Sequence, residues 1–323
     1  MYHRTGSHGR GARSVLDVTS KELRPDVEIR VGATLTLIHR WGYAPDVPAL
    51  AQTLLGGRVS PEDIRSAISQ SEEVGVSDGF AYLKGSEDLV ARSKRRVASH
   101  RALNGTAQSI ADEFARDLIA LCPFVECVAL SGSVASGGYG PSDDIDFDLI
   151  VVGDTKYTTY LLATLVGLKY AWRYRTRDVD EIHRTPLLPK VTCVNVVWTD
   201  DETRPFRRQD ADLAFELLRC RPLYGAEYFR GVLDANPWAR TFFPQMFDTS
   251  FVDTVVRQQS AFSGVLGALG RFPRALRLVE VGSRGLVWMM YHFVQWTRRK
   301  NPEAVKRNEF LRRVKFPYEV FQD

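Results

Sequence analysis

Cysteine is scarce in this 323-residue chain: Cys122, Cys127, Cys193 and Cys220 are the only four, and no two form a Cys-x-x-Cys pair. No histidine stands near them at zinc-ligand spacing, which excludes a cysteine-rich zinc centre or a disulfide-stapled scaffold and predicts reduced thiols in a cytoplasmic protein. Long apolar runs are also missing. Those around Leu161–Leu168 and Leu286–Tyr291 fall short of the roughly 20 residues a membrane-spanning helix needs, so no membrane partner is expected. The opening segment MYHRTGSHGRGARSVLD is basic but has no apolar stretch, which predicts a disordered tail over residues 1–25 rather than a secretory leader. The chain has neither internal repeats nor low-complexity tracts.

What remains is ordinary globular material, 44% hydrophobic and 25% charged, enough for two or three domains. The net charge of +4 conceals a pattern. Residues 1–104 carry 15 basic against 12 acidic side chains, residues 105–200 carry 8 against 13, and residues 201–323 carry 20 against 14. Acidic residues that converge on one site bind cations, and basic flanks suit a phosphate-bearing partner.

Turn and cap signals divide the chain. Val27–Arg40 has helical periodicity and stops at Gly42; Asp46 caps a helix Val47–Leu55; Ser60-Pro61-Glu62-Asp63 opens a third that runs to about Glu73. Gly75–Ser77 and Phe80–Leu83 follow as short strands joined by Asp78-Gly79, a hairpin turn. Three helices and a hairpin predict a winged-helix-like module over residues 26–85. Its third helix carries Arg65 as its one basic residue, against Glu62, Asp63, Glu72 and Glu73, so nucleic acid is not the favoured partner.

A helix Glu87–Leu103 breaks at Asn104-Gly105 and a second covers Ala107–Leu121; Phe124–Leu130, Ile145–Val152 and Val191–Trp198 read as strands, with a helix Tyr157–Trp172 between the last two. The alternation predicts an α/β core over residues 86–200. From Asp210 onward almost only helix is expected, including Ser250–Leu269, Arg274–Thr297 and Pro302–Arg313, making residues 201–323 a helical C-terminal region. Its aromatic stretch (Trp288, Tyr291, Phe293, Trp296) is expected to pack as core.

The informative stretch is VALSGSVASGGYGPSDDIDFDLIVV, residues 128–152. A strand leads into Ser131-Gly132-Ser133, a glycine-rich loop follows, and a second strand opens on Asp144, Asp146 and Asp148. Alternate strand residues share a face, so these acids project together while Ile145 and Phe147 enter the core. Like charges so close call for a cation, and hard oxygen ligands select Mg2+ or Mn2+. Gly132 lets backbone approach a phosphate, Ser133 adds a hydroxyl, and a helix N-terminus after Gly132 completes an anion cradle. Together these parts suit metal-dependent attack of an acceptor hydroxyl on the α-phosphorus of a nucleoside triphosphate (NTP), with pyrophosphate leaving.

At these residues the chain resembles the DNA polymerase beta-like nucleotidyltransferase superfamily, whose signature is hydrophobic-Gly-Ser, a spacer, then Asp-h-Asp. The likeness extends to a group of bacterial and archaeal nucleotidyltransferase-domain proteins through Asp78-Gly79-Phe80-Ala81-Tyr82-Leu83-Lys84-Gly85, Cys193-Val194-Asn195, Pro222–Gly225 and Ala235-Asn236-Pro237-Trp238. It implies an α/β (α+β) nucleotidyltransferase core with a small mixed sheet. By this resemblance Asp144 and Asp146 bind Mg2+ (or Mn2+), Gly132 and Ser133 hold the β and γ phosphates, and Asp148 or Asn195 completes the catalytic set. An NTP is the expected co-substrate, and because neither flank shows a convincing nucleic-acid groove, the expected acceptor is a small molecule. The superfamily's third carboxylate falls at Asn195, whose amide cannot act as a base. That departure leaves an alternative open: a winged-helix regulatory or nucleotide-sensing protein with a catalytically degenerate core.

Overall fold

The computed structural model describes residues 26–177, 188–258, 260–302, 304–306 and 309. The predicted tail over residues 1–25 and most of the predicted helix Pro302–Arg313 lie outside them. The protein is mixed α/β and divides into two compact units.

The first unit reaches through Ser93 and adds residues 209–215 and 238–246 from much later in the chain. It opens with α1 (Val27–His39), α2 (Val47–Gln52) and α3 (Pro61–Gln70), then an antiparallel hairpin of β1 (Val74–Ser77) and β2 (Phe80–Leu83). Local chemistry explains the starts. The Asp46 carboxylate accepts the Ala49 N–H at 2.7 Å. Ser60 and Asp63 form a reciprocal capping box with Pro61 in the first turn. Asp78 and Gly79 both take positive φ, 53° and 83°, as a two-residue hairpin turn requires. Later segments complete this core: Phe243 lies against Phe215 at 5.8 Å between ring centroids, and the Gln245 amide donates to the Leu54 carbonyl at 2.9 Å.

The second unit is built on a four-stranded sheet, β5-β4-β3-β6, of β3 (Val125–Leu130), β4 (Ile145–Val151), β5 (Thr192–Thr199) and β6 (Arg221–Tyr224). β4 pairs antiparallel with β3 and parallel with β5, and β6 closes the other edge antiparallel to β3. Ile145, Phe147, Leu149 and Val151 share one face and are buried with the later part of α4 (Asp88–Leu121) and with α6 (Lys156–Arg173). Phe147 stacks on Phe114 at 4.4 Å, and Tyr170 meets Phe114 edge-on at 5.9 Å. The intervening Asp146 and Asp148 therefore occupy the opposite face.

Three expectations are corrected. α4 is a single helix of 34 residues that runs through Asn104-Gly105. An interior glycine costs about 1 kcal/mol, and the burial of Ala107, Ile110, Ala111, Phe114 and Leu118 just beyond it outweighs that. Residues 201–323 are not only helical: after the short α7 (Asp200–Thr203), β6 lies between α8 (Ala211–Arg219) and α9 (Ala226–Asp234), and beyond α10 (Ala239–Phe242) only α11 (Ala261–Leu269) forms of the predicted helix Ser250–Leu269. The aromatic stretch of α12 (Pro273–Arg298) is not core: Trp288 is 57% exposed, Phe293 58% and Trp296 56%.

Candidate functional site

β3 delivers the chain into Ser131, whose N–H donates to the Asp146 carbonyl at 2.9 Å, extending the β3–β4 ladder one step past the strand. The backbone then turns sharply. Gly132 has φ 61°, and a Cβ there would lie 2.0 Å from Asp146 Oδ2 and 2.9 Å from Asp146 Cβ. Both the left-handed conformation and the approach to Asp146 exclude any side chain at this position. α5 (Gly132–Ala135) is only one turn long, so the anion cradle expected of a helix N-terminus reduces to the Gly132-Ser133 turn itself. Ser133 Oγ is buried and has no hydrogen-bond partner. A buried hydroxyl without a partner loses its hydration, so this atom suits an incoming acceptor oxygen.

β4 and β5 supply the acidic cluster. Asp144 lies just before β4 and is buried; Asp146 is half-buried, and parallel pairing sets it opposite Cys193. Oxygens of Asp144 and Asp146 and the Cys193 sulfur lie within 4.8 Å of one another. Lys190, leading into β5, holds its ammonium 3.0 Å from Asp144 Oδ2. Burial opposes the charge on Lys190, but Asp144, Cys193 and Asp146 outweigh it and raise the lysine pKa. The Cys193 thiol is pushed up to about 12, first by burial and then by Asp144 and Asp146, with Lys190 opposing. It is therefore protonated at neutral pH and donates to Asn195 Oδ1 at 3.2 Å. A cysteine sulfur is a soft donor, so for a hard ion the two carboxylates are the donor set. That set fits a hard divalent ion completed by water and phosphate oxygens.

The remaining predicted residues are placed differently. Asp148 is buried, accepting from Ser131 Oγ at 3.0 Å and from the Cys220 thiol at 3.3 Å. Burial, then the neighbouring Glu216 carboxylate, raises its pKa against the pull of Cys220, Ser131 and Arg219. It supports the Ser131 end of the turn and is not in the Asp144–Asp146–Cys193 cluster. Asn195 sits where β5 bulges: Phe147 pairs with Val194 and Asp148 with Val196, leaving Asn195 outside the ladder beside Cys193.

Sequence reasoning missed Lys190 and Cys193 as members of this site. Cys193 stands in the Cys193-Val194-Asn195 segment, but its place beside Asp146 comes from the β4–β5 register, which spacing alone does not give. The guanidinium of Arg177, just past α6, donates to the carbonyls of Asp143 at 2.9 Å and Pro141 at 3.1 Å. Arg96 grips the Asp143 carboxylate at 2.5 Å. Two cations thus pin the glycine-rich loop from outside. Arg219 donates to the Gly132 carbonyl at 3.2 Å, bracing the turn from the end of α8. Comparison with protein-family models, curated proteins and solved structures finds no match to this chain.

Proposed function

We propose that the protein is a metal-dependent nucleotidyltransferase that moves a nucleoside monophosphate from an NTP to a hydroxyl, or similar group, of a small acceptor. The observation that carries this reading is the convergence of the Asp144 and Asp146 carboxylates, with Asp146 packed against the Gly132-Ser133 turn. The buried, unpartnered Ser133 Oγ adds to it.

Asp144 and Asp146 would hold Mg2+ or Mn2+, which when bound neutralises charge on the triphosphate and polarises its α-phosphorus. The protein's own residues do the rest. Gly132 removes the side chain that would keep polyphosphate from the backbone. Ser133 Oγ donates to an outer phosphate oxygen. Lys190 pairs with Asp144 while no metal is bound; with a metal on Asp144 its ammonium would be free to face the phosphoryl oxygens, which gain charge in the transition state. In balance, the acceptor oxygen bonds to the α-phosphorus, the bond to the bridging oxygen breaks, pyrophosphate leaves, and the acceptor proton passes to solvent or to a carboxylate oxygen of the cluster.

One observation favours the second reading, a nucleotide sensor with a degenerate core. Asn195 stands where the resemblance implies a third carboxylate, and Asp148, the further acid of β4, is engaged by Ser131 and Cys220. Incubating the chain with labelled NTPs, Mg2+ or Mn2+ and a panel of hydroxyl acceptors separates the two. Pyrophosphate release abolished by Asp144→Ala supports transfer; NTP binding that needs Asp144, without release, supports sensing.

A further inference from the structure

α12 packs one stripe against α6 and turns the other to solvent. On the packed side, Glu280 accepts the Tyr157 N–H at 2.6 Å and the Thr158 N–H at 2.9 Å, and Ser283 and Val287 are buried. On the far side, Leu278, Val281, Met289, Phe293 and Trp296 follow one another at steps of three, eight, four and three residues, all between 56% and 74% exposed. At helical spacing these residues share one face of the helix, with Gly282 and Gly285 between Val281 and Met289, and Trp288, 57% exposed, flanks it. The face exceeds the scattered apolar exposure of ordinary surfaces and marks an interaction site.

Charge identifies its occupant. Residues 261–300 hold seven basic side chains and a single acid, Glu280. That acid is turned inward to cap α6. Arg271, Arg274 and Arg277 at one end, and Arg299 and Lys300 at the other, are exposed around the apolar face. A second copy of the chain would bring two such positive surfaces together with no exposed acid on either segment to pair with them. A layer of anionic lipid headgroups complements the arginines, while its acyl boundary accepts the apolar side chains. Trp288 and Trp296, both exposed in the C-terminal half of α12, suit the headgroup level. No described helix is long and apolar enough to cross a membrane.

We infer that α12 is a membrane-surface anchor, lying in the plane of an anionic lipid interface with Leu278, Met289, Phe293 and Trp296 inserted and the terminal arginines on headgroups. This departs from the expectation of no membrane partner, which rested on the lack of a spanning run, and it is independent of the transferase reading.

The test is co-sedimentation of the full chain with phosphatidylcholine vesicles, with and without phosphatidylserine. Binding is expected only to the anionic vesicles and should be reversed by salt. Each arginine at such a surface contributes about 1 kcal/mol, or about fivefold, so Arg274→Glu with Arg277→Glu lowers partitioning at least about 25-fold. Met289→Glu with Phe293→Glu, both exposed, abolishes it while leaving the circular dichroism spectrum unchanged. Failure to bind, or equal binding to both vesicle types, overturns the inference. So does a dimer in sedimentation velocity that the Met289→Glu, Phe293→Glu protein no longer forms, which would assign the face to a second copy.

Discussion

Gly132→Ala puts the turn that carries the acidic cluster to its sharpest test. The new methyl would sit 2.0 Å from Asp146 Oδ2, where ordinary contact begins near 3.4 Å. The carboxylate must therefore retreat by roughly 1.4 Å or the turn must open. Forcing a non-glycine residue into the left-handed region at φ 61° costs about 1–2 kcal/mol. Overpacking against Asp146 adds about 1–3 kcal/mol. A matched control lies in the same loop: Gly137 also has positive φ, 76°, but a Cβ there meets nothing within 4 Å. Gly137→Ala thus carries the backbone term alone. Urea denaturation should order the proteins as wild type, Gly137→Ala, Gly132→Ala. Mn2+ titration followed by electron paramagnetic resonance should show near-native affinity for Gly137→Ala and a loss of about 10–100-fold for Gly132→Ala, the range expected when support for a metal ligand is displaced. Equal behaviour of the two variants in both measurements would refute the argument that Gly132 exists to let Asp146 approach.

Lys190→Met removes the ammonium from Asp144; stability without divalent ions should fall by about 1–3 kcal/mol, moderated by the partial exposure of Lys190, and calorimetric titration should show tighter Mg2+ binding once the competing cation is gone. Asp148 has its carboxyl pKa raised by burial and by Glu216, so its stabilising contribution is complete below the ordinary carboxylate pKa and is lost as pH rises through the folded-state value; Asp148→Asn should flatten the fall in urea midpoint between mildly acidic and alkaline pH, and an unchanged slope would count against the assignment. Asn236 is fully buried, donating to the carbonyls of Thr203 and Val232, each at 2.7 Å, and accepting the Phe206 N–H at 2.8 Å; Asn236→Ala should lower unfolding free energy by about 2–4 kcal/mol, read by chemical denaturation.

Local chemistry was legible in the sequence wherever it decides the outcome. The Ser60–Asp63 box, the Asp46 cap and the Asp78-Gly79 turn all act within four residues, and each appears where the residues predicted it. The alternation of Asp144, Asp146 and Asp148 with Ile145 and Phe147 likewise gave the two faces of β4. Features set by distant partners were not legible. Asn104-Gly105 reads as a break until the burial downstream is known. β6 is a short Pro-containing edge strand, recognisable only by its pairing with β3. Gly225 there has φ 76°, and a Cβ would lie 2.0 Å from the Glu126 carbonyl, a close approach that no local rule reveals. Lys190 and Cys193 joined the site through β4–β5 register, and Asp148 left the cluster because Ser131 and Cys220 engage it.

The first unit draws its residues from three stretches of chain, with residues 94–208 and 216–237 belonging to the other unit. On a ribosome, the helices and hairpin near the N-terminus emerge long before Phe243 and Gln245, the groups that close their core. This half must wait, incompletely packed, until the later segments arrive, and the sheet-bearing half has most of its strands available first. Cutting the gene after residue 93 would accordingly yield a fragment without its closing piece, prone to proteolysis and self-association rather than to independent folding.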